Sequence, residues 1–430
     1  MRILLTGSNG FIGRRLRDRL LGEGHDVLCA ARDLRRPDPR CTTVVADFAA
    51  ATPPPWHEHL RGVDAVVNGA GIFRERGEGH FEAVHARGPI ALFDACAAAG
   101  VPRVIQISAL GADTDAPTEF LRSKRRADLH LLTLPLDATI VQPSLVFGVE
   151  GASTRRLLAL ASLPLLAVPG DGRQQVQPLH VDDLVAALVA LLRAAPDAWR
   201  GRRVAAVGPQ PLGLQDYLLA LRAGMQIPST SIWHVPEGLV QAAAAVGTRL
   251  PGALFDRAAW QMLQRGSVAA SDEMRALLGA PPRAARQFVA PEVAPAVRDA
   301  AQLAWLLPLL RATLAFLWIA TAVVSLGVYP IADSLALLAR AGVPESLRPW
   351  ALGGAALLDL ALGIACVAPL PRRRWLWAAQ VLLIFVYSIV IAVRLPEFWL
   401  HPFGPLTKNV PLLALLALLW TLDRPPRSAA

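Results

Sequence analysis

The chain has 430 residues, of which 53% are hydrophobic, and it carries a formal net charge of +9. This length allows roughly two or three domains, and the hydrophobic content is too high for an ordinary soluble protein, so part of the chain should contact lipid. The positive charge comes from scattered arginines rather than from basic blocks interleaved with aromatic residues, which argues against nucleic-acid binding. The four cysteines form no CxxC pair and no metal-ligand spacing, so no metal site is predicted and the thiols are expected to be reduced.

The most informative segment is a glycine-rich turn at residues 6–13, directly after the apolar residues 3–5. Because Gly7, Gly10 and Gly13 have no side chains, the backbone can turn tightly, approach a pyrophosphate closely and pack helix against strand. Phosphates can then bind at the positive N-terminus of the following helix. The turn therefore predicts a bound dinucleotide. The apolar run before it is too short for a secretory signal, so this part of the chain is expected in the cytoplasm.

Up to about residue 150, apolar runs alternate with amphipathic helical segments, the pattern of a doubly wound parallel α/β sheet. The predicted strands are residues 2–6, 26–31, 43–46, 65–68, 103–108 and 139–142. The predicted helices include residues 10–21, 81–99, 182–193 and 214–222. A looser pattern with Pro and Gly breaks predicts a smaller α/β lobe at residues 151–283, and the Ala-, Pro- and Arg-rich residues 284–300 predict a linker.

The end of the second predicted strand bears on the choice of cofactor. Where an acidic residue would bind the ribose 2′-hydroxyl of NAD, the chain has Arg32 followed by Asp33. The guanidinium of Arg32, together with Arg14 or Arg15 after the third glycine, matches the oxygens of a 2′-phosphate. This pattern favours NADP(H) over NAD(H). The alternative is that these arginines are ordinary solvated surface residues.

The composition changes after residue 301, where four apolar stretches follow, near residues 304–328, 350–370, 375–393 and 407–422. All but the short last one approach the roughly 20 residues that cross a bilayer, and tryptophans cluster near the ends of the stretches. We therefore predict an all-α domain of four transmembrane helices in the lipid bilayer of the cytoplasmic (inner) membrane. Arginines at 372–374, 424 and 427 place the N-terminal domain on the cytoplasmic side, although Arg340, Arg348, Arg394 and Lys408 weaken that charge bias.

Several motifs in about the first 300 residues support a family assignment. They are the glycine turn and residues 47–48, 68–71, 107–109, 122–124, 142–148 and 180–183. Together they resemble the extended or atypical short-chain dehydrogenase/reductase family, most of all the branch of the 39-kDa subunit of respiratory complex I. The resemblance implies a Rossmann fold, with Asp47 near the adenine, Gly69 and Ala70 along the cofactor, and residues 143–146 beside the nicotinamide. The full set of predicted cofactor-binding residues is Thr6, Gly7, Asn9, Gly10, Phe11, Ile12, Gly13, Arg32, Asp47, Phe48, Gly69, Ala70, Gly71, Lys124, Pro143, Ser144, Leu145 and Val146.

The resemblance also raises a question about catalysis. In that family a Tyr-x-x-x-Lys pair lies on one helix face: the lysine holds the nicotinamide ribose and lowers the tyrosine's pKa, and the tyrosine transfers a proton. Here Lys124 is present, but Phe120 occupies the tyrosine position and has no transferable proton. Ser108 is the candidate catalytic serine, although that role could align with Ala109 instead. A proton could come from water or from a carboxylate such as Glu119, Asp113 or Asp115, each of which is more simply an ordinary loop residue.

Two histidine positions are interpreted as structural. Residues 180–183 predict a turn and a helix cap, with Asp182 or Asp183 as the capping residue. His85 is predicted to be a hydrogen-bonded core or surface residue.

The C-terminal segment has a resemblance of its own. Residues 396–409, next to the four apolar stretches, resemble the DoxX-like membrane family, whose members are often linked to redox or quinone chemistry. Asp359 lies in the middle of a predicted span, where a charge is usually paired or functional. Arg311 or Lys408 is its predicted partner, and a plain hydrogen bond between helices is as good an interpretation as a transport or quinone role.

Two hypotheses on function follow. The first is a membrane-anchored NAD(P)H-binding oxidoreductase that transfers hydride to or from a carbonyl compound, or a quinone or isoprenoid-like lipid, with Lys124 and Ser108 as catalytic residues. The second is a non-catalytic NADPH-binding scaffold or redox sensor related to accessory subunits of the respiratory chain. Phe120 is the residue that separates the two.

Overall fold

The computed structural model describes residues 1–32, 38–50, 52–75, 77, 79–249, 255–371, 373–402 and 404–423. The chain divides into two compact units, which we call unit 1 (residues 1–301) and unit 2 (from residue 302 onward). Of the residues used in the sequence predictions, Asp33, Arg372, Phe403, Arg424 and Arg427 lie outside the described residues.

Unit 1 is built on a parallel sheet. Its strands are β1 (Arg2–Thr6), β2 (Asp26–Ala31), β3 (Thr42–Val45), β4 (Ala65–Asn68), β5 (Arg103–Ile107), β6 (Asp137–Pro143), β7 (Val146–Phe147), β8 (Leu166–Pro169), β9 (Gln175–Val176), β10 (Leu179–His180), β11 (Arg203–Ala206), β12 (Leu212–Gly213) and β13 (Ile232–Val235). Among the described residues, seven of them form the main sheet in the order β11-β6-β5-β4-β1-β2-β3, all parallel. The reversal of strand order beside β1 is the doubly wound topology, so the predicted Rossmann fold is confirmed.

Helices connect the strands and continue into unit 2. They are α1 (Phe11–Gly22), α2 (Trp56–His59), α3 (Gly88–Ala99), α4 (Glu119–Thr133), α5 (Ala152–Ala161), α6 (Val181–Arg193), α7 (Leu214–Gly224), α8 (Glu237–Arg249), α9 (Arg257–Arg265), α10 (Asp272–Leu278), α11 (Ala294–Val323), α12 (Ile331–Arg340), α13 (Arg348–Val367), α14 (Arg374–Arg394) and α15 (Asn409–Leu422). Short π and 3₁₀ segments lie at Glu82–Arg87, Ala285–Gln287, Val324–Val328, Glu345–Leu347 and Pro396–Trp399.

Two predicted helical features differ in detail from the structure. The helix predicted at residues 81–99 is a π segment, Glu82–Arg87, that continues into α3. Pro89 lacks an N–H group and cannot donate the usual hydrogen bond one turn back, so the register widens there. The cap of α6 is His180, whose Nδ1 accepts from the Asp182 N–H at 3.2 Å, so the prediction of an aspartate cap is wrong.

The core of unit 1 lies on both faces of the main sheet. Ile3 and Leu5 point to the face covered by α1, α6 and α10, whereas Leu4 points to the face covered by α2, α3 and α4. This follows from the two-residue alternation of side chains along a strand. Because helices cover both faces, the middle residues of the central strands are mostly apolar rather than alternating with polar ones.

The structure arranges the residues beyond 150 differently from the predicted small lobe and linker. β11 returns to the main sheet beside β6, so the stretch from 151 to 283 contributes to both the sheet and a second cluster. Within the predicted linker, Phe288 is 4% exposed and its ring stacks on Phe147 at 4.8 Å between centroids. Its apolar side chain holds this stretch in the core of unit 1, and α11 already begins at Ala294.

Unit 2 is helical and exposes many large apolar side chains. Within the described residues, three segments are long and apolar enough to cross a membrane, namely Ala294–Val328, Glu345–Val367 and Arg374–Arg394, with mean hydropathies of 1.9, 1.9 and 2.4. They overlap the first three predicted spans. The fourth predicted span coincides with α15, whose 14 residues extend about 21 Å, against about 30 Å of bilayer hydrocarbon. A fourth crossing therefore stays a prediction.

Five of the seven tryptophans of unit 2 fall into two groups. Trp350, Trp375 and Trp399 are more than half exposed, as expected of residues at a lipid headgroup region. Trp318 and Trp377 are instead buried, and their indole N–H groups donate to Gln380 and Asp423. For these two residues, a position near the end of a predicted span did not indicate a place at the membrane surface. A buried indole needs a hydrogen-bond acceptor, and both have one.

Candidate nucleotide site of unit 1

The glycine turn forms a tightly packed backbone cradle between β1 and α1. Gly7 has φ +66°, a left-handed conformation that favours glycine, and a Cβ on it would collide with the carbonyl of Gly69. A Cβ on Gly13 would collide with the carbonyl of Gly7. The Gly10 N–H closes the turn by donating to the Gly7 carbonyl at 2.8 Å. The cradle therefore depends on the absence of side chains at these positions.

The first turn of α1 is free to bind an anion. Gly10 is the N-cap and has no capping side chain, and the first N–H groups of a helix have no partner within the helix. Asn9 and Gly10 are exposed, and Phe11 and Ile12 are half-buried. Backbone donors and the positive end of the helix dipole would both act on an anion bound at this end of α1.

The arginines predicted to bind the adenosine end of the cofactor differ in whether their side chains are already engaged in ion pairs. Arg32 follows β2 and is exposed, as is Arg14. Arg15 is engaged in ion pairs with Glu150 at 2.8 Å and Asp182 at 2.7 Å. Of the arginines proposed for a 2′-phosphate, Arg32 and Arg14 are therefore the better placed.

Asp47 and Phe48 follow β3. The Asp47 carboxylate accepts from the Ala49 N–H at 2.9 Å and remains partly exposed. Phe48 is 8% exposed and packs edge-on against Trp56 at 5.8 Å. The side chain of Phe48 thus serves the core, and its backbone is what remains for a ligand.

A polar chain ties the ends of three neighbouring strands together. The Thr6 hydroxyl contacts Asn68 and also accepts from the Ala70 N–H at 3.2 Å. Asn68 in turn donates to Gln106 at 2.7 Å. These hydrogen bonds fix residues 69–71 beside the glycine turn, so β1, β4 and β5 present their carboxyl ends as one edge.

Lys124 and Asp128 lie on one face of α4 and form a buried charged group with Ser108. Lys124 is 7% exposed, and its Nζ donates to the Ile107 carbonyl at 3.3 Å. The Ser108 hydroxyl donates to Asp128 Oδ2 at 2.5 Å. Burial lowers the pKa of Lys124 to about 8 and raises that of Asp128 to about 6, with the attraction between the two charges opposing each shift. The lysine can therefore exchange a proton near neutral pH.

Phe120 belongs to an aromatic wall beside this group. Its ring lies 5.3 Å from that of Phe73, 5.9 Å from that of Phe81 and 5.4 Å from that of His85. The Lys124 ammonium lies 5.8 Å from the centre of the Phe120 ring. At this position the chain offers an apolar surface rather than a hydroxyl.

His85 is buried and held in one tautomer. Its Nε2 accepts from the Ile72 N–H at 3.0 Å, so its Nδ1 carries the proton and donates to the Ser123 hydroxyl at 3.1 Å. Burial and, to a smaller extent, the charge of Lys124 lower its pKa to about 3. A Cβ on Gly71 would lie 3.5 Å from this ring and 3.6 Å from Lys124 Nζ, so all three face one small region.

The residues after β6 are held largely by the protein itself. The Pro143 carbonyl accepts from the Leu110 N–H at 2.9 Å, and the Ser144 hydroxyl donates to the Gln177 carbonyl at 2.5 Å. Leu145 and Val146 lead into β7, which pairs with β10. These four residues thus line the same strand-end edge through their backbone and apolar side chains.

Two of the three alternative proton donors are engaged elsewhere. Glu119 forms ion pairs with Arg122 and Arg126, and Asp113 forms one with Arg265 at 2.7 Å. The prediction of His85 as a hydrogen-bonded core residue is confirmed. Sequence reasoning missed Asp128 beside Lys124, which could have been found from its position one helical turn after the lysine.

The two units match different family models. Residues 3–206 match the NAD dependent epimerase/dehydratase family, and residues 315–417 match the DoxX-like family.

Curated relatives match the N-terminal part. Subunit 9 of the NADH dehydrogenase (ubiquinone) 1 alpha subcomplex from Arabidopsis thaliana mitochondria is 30% identical over 198 residues, which cover 44% of this chain and 49% of the relative. A ceramide reductase from Caulobacter vibrioides is 30% identical over 196 residues, or 44% of this chain and 61% of the relative. The chain thus spans about half to three fifths of the length of these relatives.

Solved structures share the fold. A UDP-glucuronic acid 4-epimerase from Bacillus cereus, in complex with UDP-glucuronic acid and NAD, has a TM-score of 0.51 at 18% identity, covering 71% of this chain and 100% of the epimerase. A nucleoside-diphosphate-sugar epimerase from Staphylococcus aureus has a TM-score of 0.56 at 20% identity, covering 67% and 99%. The N-terminal part of the chain is thus similar to the NAD dependent epimerase/dehydratase family, and the C-terminal part is similar to the DoxX-like family.

Proposed function

We propose that the protein is a membrane-anchored, NADP(H)-dependent reductase of a carbonyl group on an apolar substrate. The observation that carries this proposal is the backbone cradle at Gly7, Gly13 and Gly69, which opens at the uncapped N-terminus of α1. The exposed Arg32 at the end of β2 supports NADP(H) over NAD(H), because a guanidinium pairs well with a 2′-phosphate.

The residues next to the cradle support carbonyl reduction. Bound NADPH would supply a hydride to the carbonyl carbon, and a proton must then reach the carbonyl oxygen. Phe120 has no proton to give, whereas Lys124 has a pKa of about 8 and carries one at neutral pH. Lys124 would hold the ribose and donate that proton, and Ser108 would polarise the carbonyl by turning its hydroxyl from Asp128 to the substrate.

The surroundings of Lys124 support an apolar substrate. The aromatic wall of Phe73, Phe81 and Phe120 offers no hydrogen-bond donor to a sugar, and it suits a chain or ring of hydrocarbon. One relative is named a ceramide reductase, which acts on a lipid, and unit 2 would keep the enzyme at a membrane. The proposed substrate class is a lipid ketone, a quinone or an isoprenoid-like carbonyl compound.

A second candidate function rests on Phe120 itself. A ring in place of the proton donor supports a non-catalytic NADPH-binding scaffold or redox sensor. The relative named as a subunit of NADH dehydrogenase supports the same candidate.

The location of the nucleotide site is also a proposal. Arg373, just before α14, and Arg374, its first residue, favour the cytoplasmic side of the inner membrane, and with four crossings unit 1 would share that side. Protease digestion of intact spheroplasts tests this: unit 1 should be cleaved only after the inner membrane is opened.

One experiment separates the two functions. The purified full chain in detergent is titrated with NADPH and NADH, and the absorbance of NADPH is then followed with a lipid ketone or a short-chain quinone. Turnover by the native protein that falls in Lys124→Met and follows a pKa near 8 supports the reductase. NADPH binding without turnover in the native protein, with turnover appearing only in Phe120→Tyr, supports the scaffold. Absence of binding of either nucleotide contradicts both.

A further inference from the structure

Asp359 is a carboxyl group buried inside unit 2. It lies near the middle of α13 and is 6% exposed, and Ala356, Leu362, Gly363 and Cys366 are buried on the same side of that helix. The carboxyl group therefore points into the helix bundle and away from lipid. Gly363 shows how close the packing is on this side, because a Cβ there would lie 2.6 Å from Ile319 of α11.

The partners predicted for Asp359 do not pair with it. Arg311 forms its ion pair with Asp423, with Nε 3.1 Å from Oδ2, and Asp423 also accepts from Trp377 at 3.2 Å. Lys408 is exposed just before α15. Asp359 Oδ1 is buried and has no hydrogen-bond partner among the described residues.

The other interior polar groups of the bundle do have partners. Gln380, which is fully buried, accepts from Trp318 at 2.8 Å and donates to the Cys366 sulfur at 3.4 Å. Asn409 donates to Ser388 at 2.8 Å. Against this background Asp359 is an exception, and a buried polar atom left without a partner is costly.

A buried charge without a partner costs far more than a buried neutral acid, so this site favours the protonated carboxyl group, which has an O–H to donate. Tyr387 on α14 lies near enough to Asp359 to interact with it electrostatically. The opposite face of α13 is open: a Cβ on Gly353 or Gly354 would meet no heavy atom within 4 Å, and Leu357 is 62% exposed. Because these residues lie on the side of the helix away from Asp359, a molecule dissolved in the bilayer must enter between the helices of the bundle to reach the carboxyl group.

We propose that Asp359 is the hydrogen-bonding centre of a binding site in unit 2 for a lipid-soluble molecule with a carbonyl or hydroxyl oxygen in its head. The protonated carboxyl donates to that oxygen, which satisfies the group left without a partner. The inference concerns unit 2 alone and holds whether or not the nucleotide site is catalytic. An anionic ligand does not fit, because its charge would have no counter-ion at Asp359.

The test uses dicyclohexylcarbodiimide, an apolar reagent that modifies protonated carboxyl groups. The full chain in lipid nanodiscs, without nicotinamide nucleotide, is treated with the reagent and digested, and the modified peptides are identified by mass spectrometry. We expect modification of Asp359 and none of Asp423, which is equally buried but paired with Arg311. Decylubiquinone or farnesol added beforehand should lower the modification of Asp359 at least fivefold, and the more protective compound identifies a carbonyl or a hydroxyl ligand.

Two variants support the assignment by direct binding of the protective compound. Asp359→Leu removes the donor and should weaken binding about five- to tenfold, as expected for one hydrogen bond. Asp359→Asn keeps a donor and should bind more tightly than Asp359→Leu. Failure of Asp359 to react, or modification that neither compound lowers, would overturn the proposal. Either result leaves NADPH binding by unit 1 untouched, so the two proposals fail independently.

Discussion

The strongest test of the nucleotide cradle compares two glycines of the same helix, α1. Replacing glycine by alanine in a helix normally stabilises it by about 0.5–1 kcal/mol, because alanine loses less backbone entropy on folding. Gly22 is exposed, and a Cβ there would meet nothing within 4 Å, so Gly22→Ala should follow this rule. At Gly13 the Cβ would collide with the Gly7 carbonyl, and the forced backbone shift should cost about 1–3 kcal/mol. The same substitution is thus expected to change stability in opposite directions.

The affinity for NADPH should separate the variants more sharply. The shift at Gly13 moves the N–H groups that face the pyrophosphate, and loss of one hydrogen bond to a charged group costs about 1.5–3 kcal/mol, or about ten- to a hundredfold in Kd. The assay is the fluorescence of NADPH titrated with the full chain in detergent, together with the melting temperature with and without nucleotide. Gly22→Ala serves as the control and should bind like the native protein. Equal affinity and stability in Gly13→Ala would refute the reasoning.

Three further predictions concern other parts of the molecule. Phe120→Tyr should leave NADPH affinity within about threefold of native and raise the rate of NADPH oxidation with a carbonyl substrate; no change in rate would show that this position does not limit proton transfer. Because the pKa of His85 is lowered in the folded protein, the unfolded chain binds more protons between pH 6.5 and 3. The free energy of unfolding should therefore fall by about 1.4 kcal/mol for each pH unit of acidification in this range. Urea unfolding of His85→Asn should show a weaker dependence of this free energy on pH. Arg311→Ala leaves Asp423 buried without a counter-charge and should destabilise unit 2 by about 3–5 kcal/mol. A second substitution, Asp423→Asn, should restore most of this stability. Unfolding of the single and the double variant by a denaturing detergent measures both effects.

The parallel sheet was predictable because it depends on local pattern. Strands β1 to β6 coincide with the predicted runs within two residues, since apolar runs between glycine or polar breaks fix where a buried strand can lie. The glycine turn was equally readable, because its steric requirement lies within one short segment. By contrast, the stretch around Phe288 was taken for a linker, since nothing in its local composition shows that the ring stacks on Phe147, far away in sequence.

The surroundings of Lys124 were only partly predictable for the same reason. Lys124 and Phe120 are related by helical spacing, which a sequence displays directly. His85 approaches them from another helix through a contact between distant residues, and its tautomer depends on the backbone of Ile72 and the hydroxyl of Ser123. The pairing of Arg311 with Asp423 was likewise missed. Several acidic residues of unit 2 could pair with Arg311 as far as the sequence shows, and only the packing of the helices selects one of them.

The contact of the Gly7 turn with both Gly69 and Gly13 has a consequence for the amount of protein in a cell. The turn touches β4 on one side and α1 on the other, so it cannot loosen without disturbing the middle of the sheet. A nucleotide bound there would stabilise unit 1 as a whole, by about 2.7 kcal/mol at a hundred times its Kd. Cells depleted of nucleotide would then hold a larger unfolded fraction exposed to membrane proteases, and the abundance of the protein would follow the nucleotide supply.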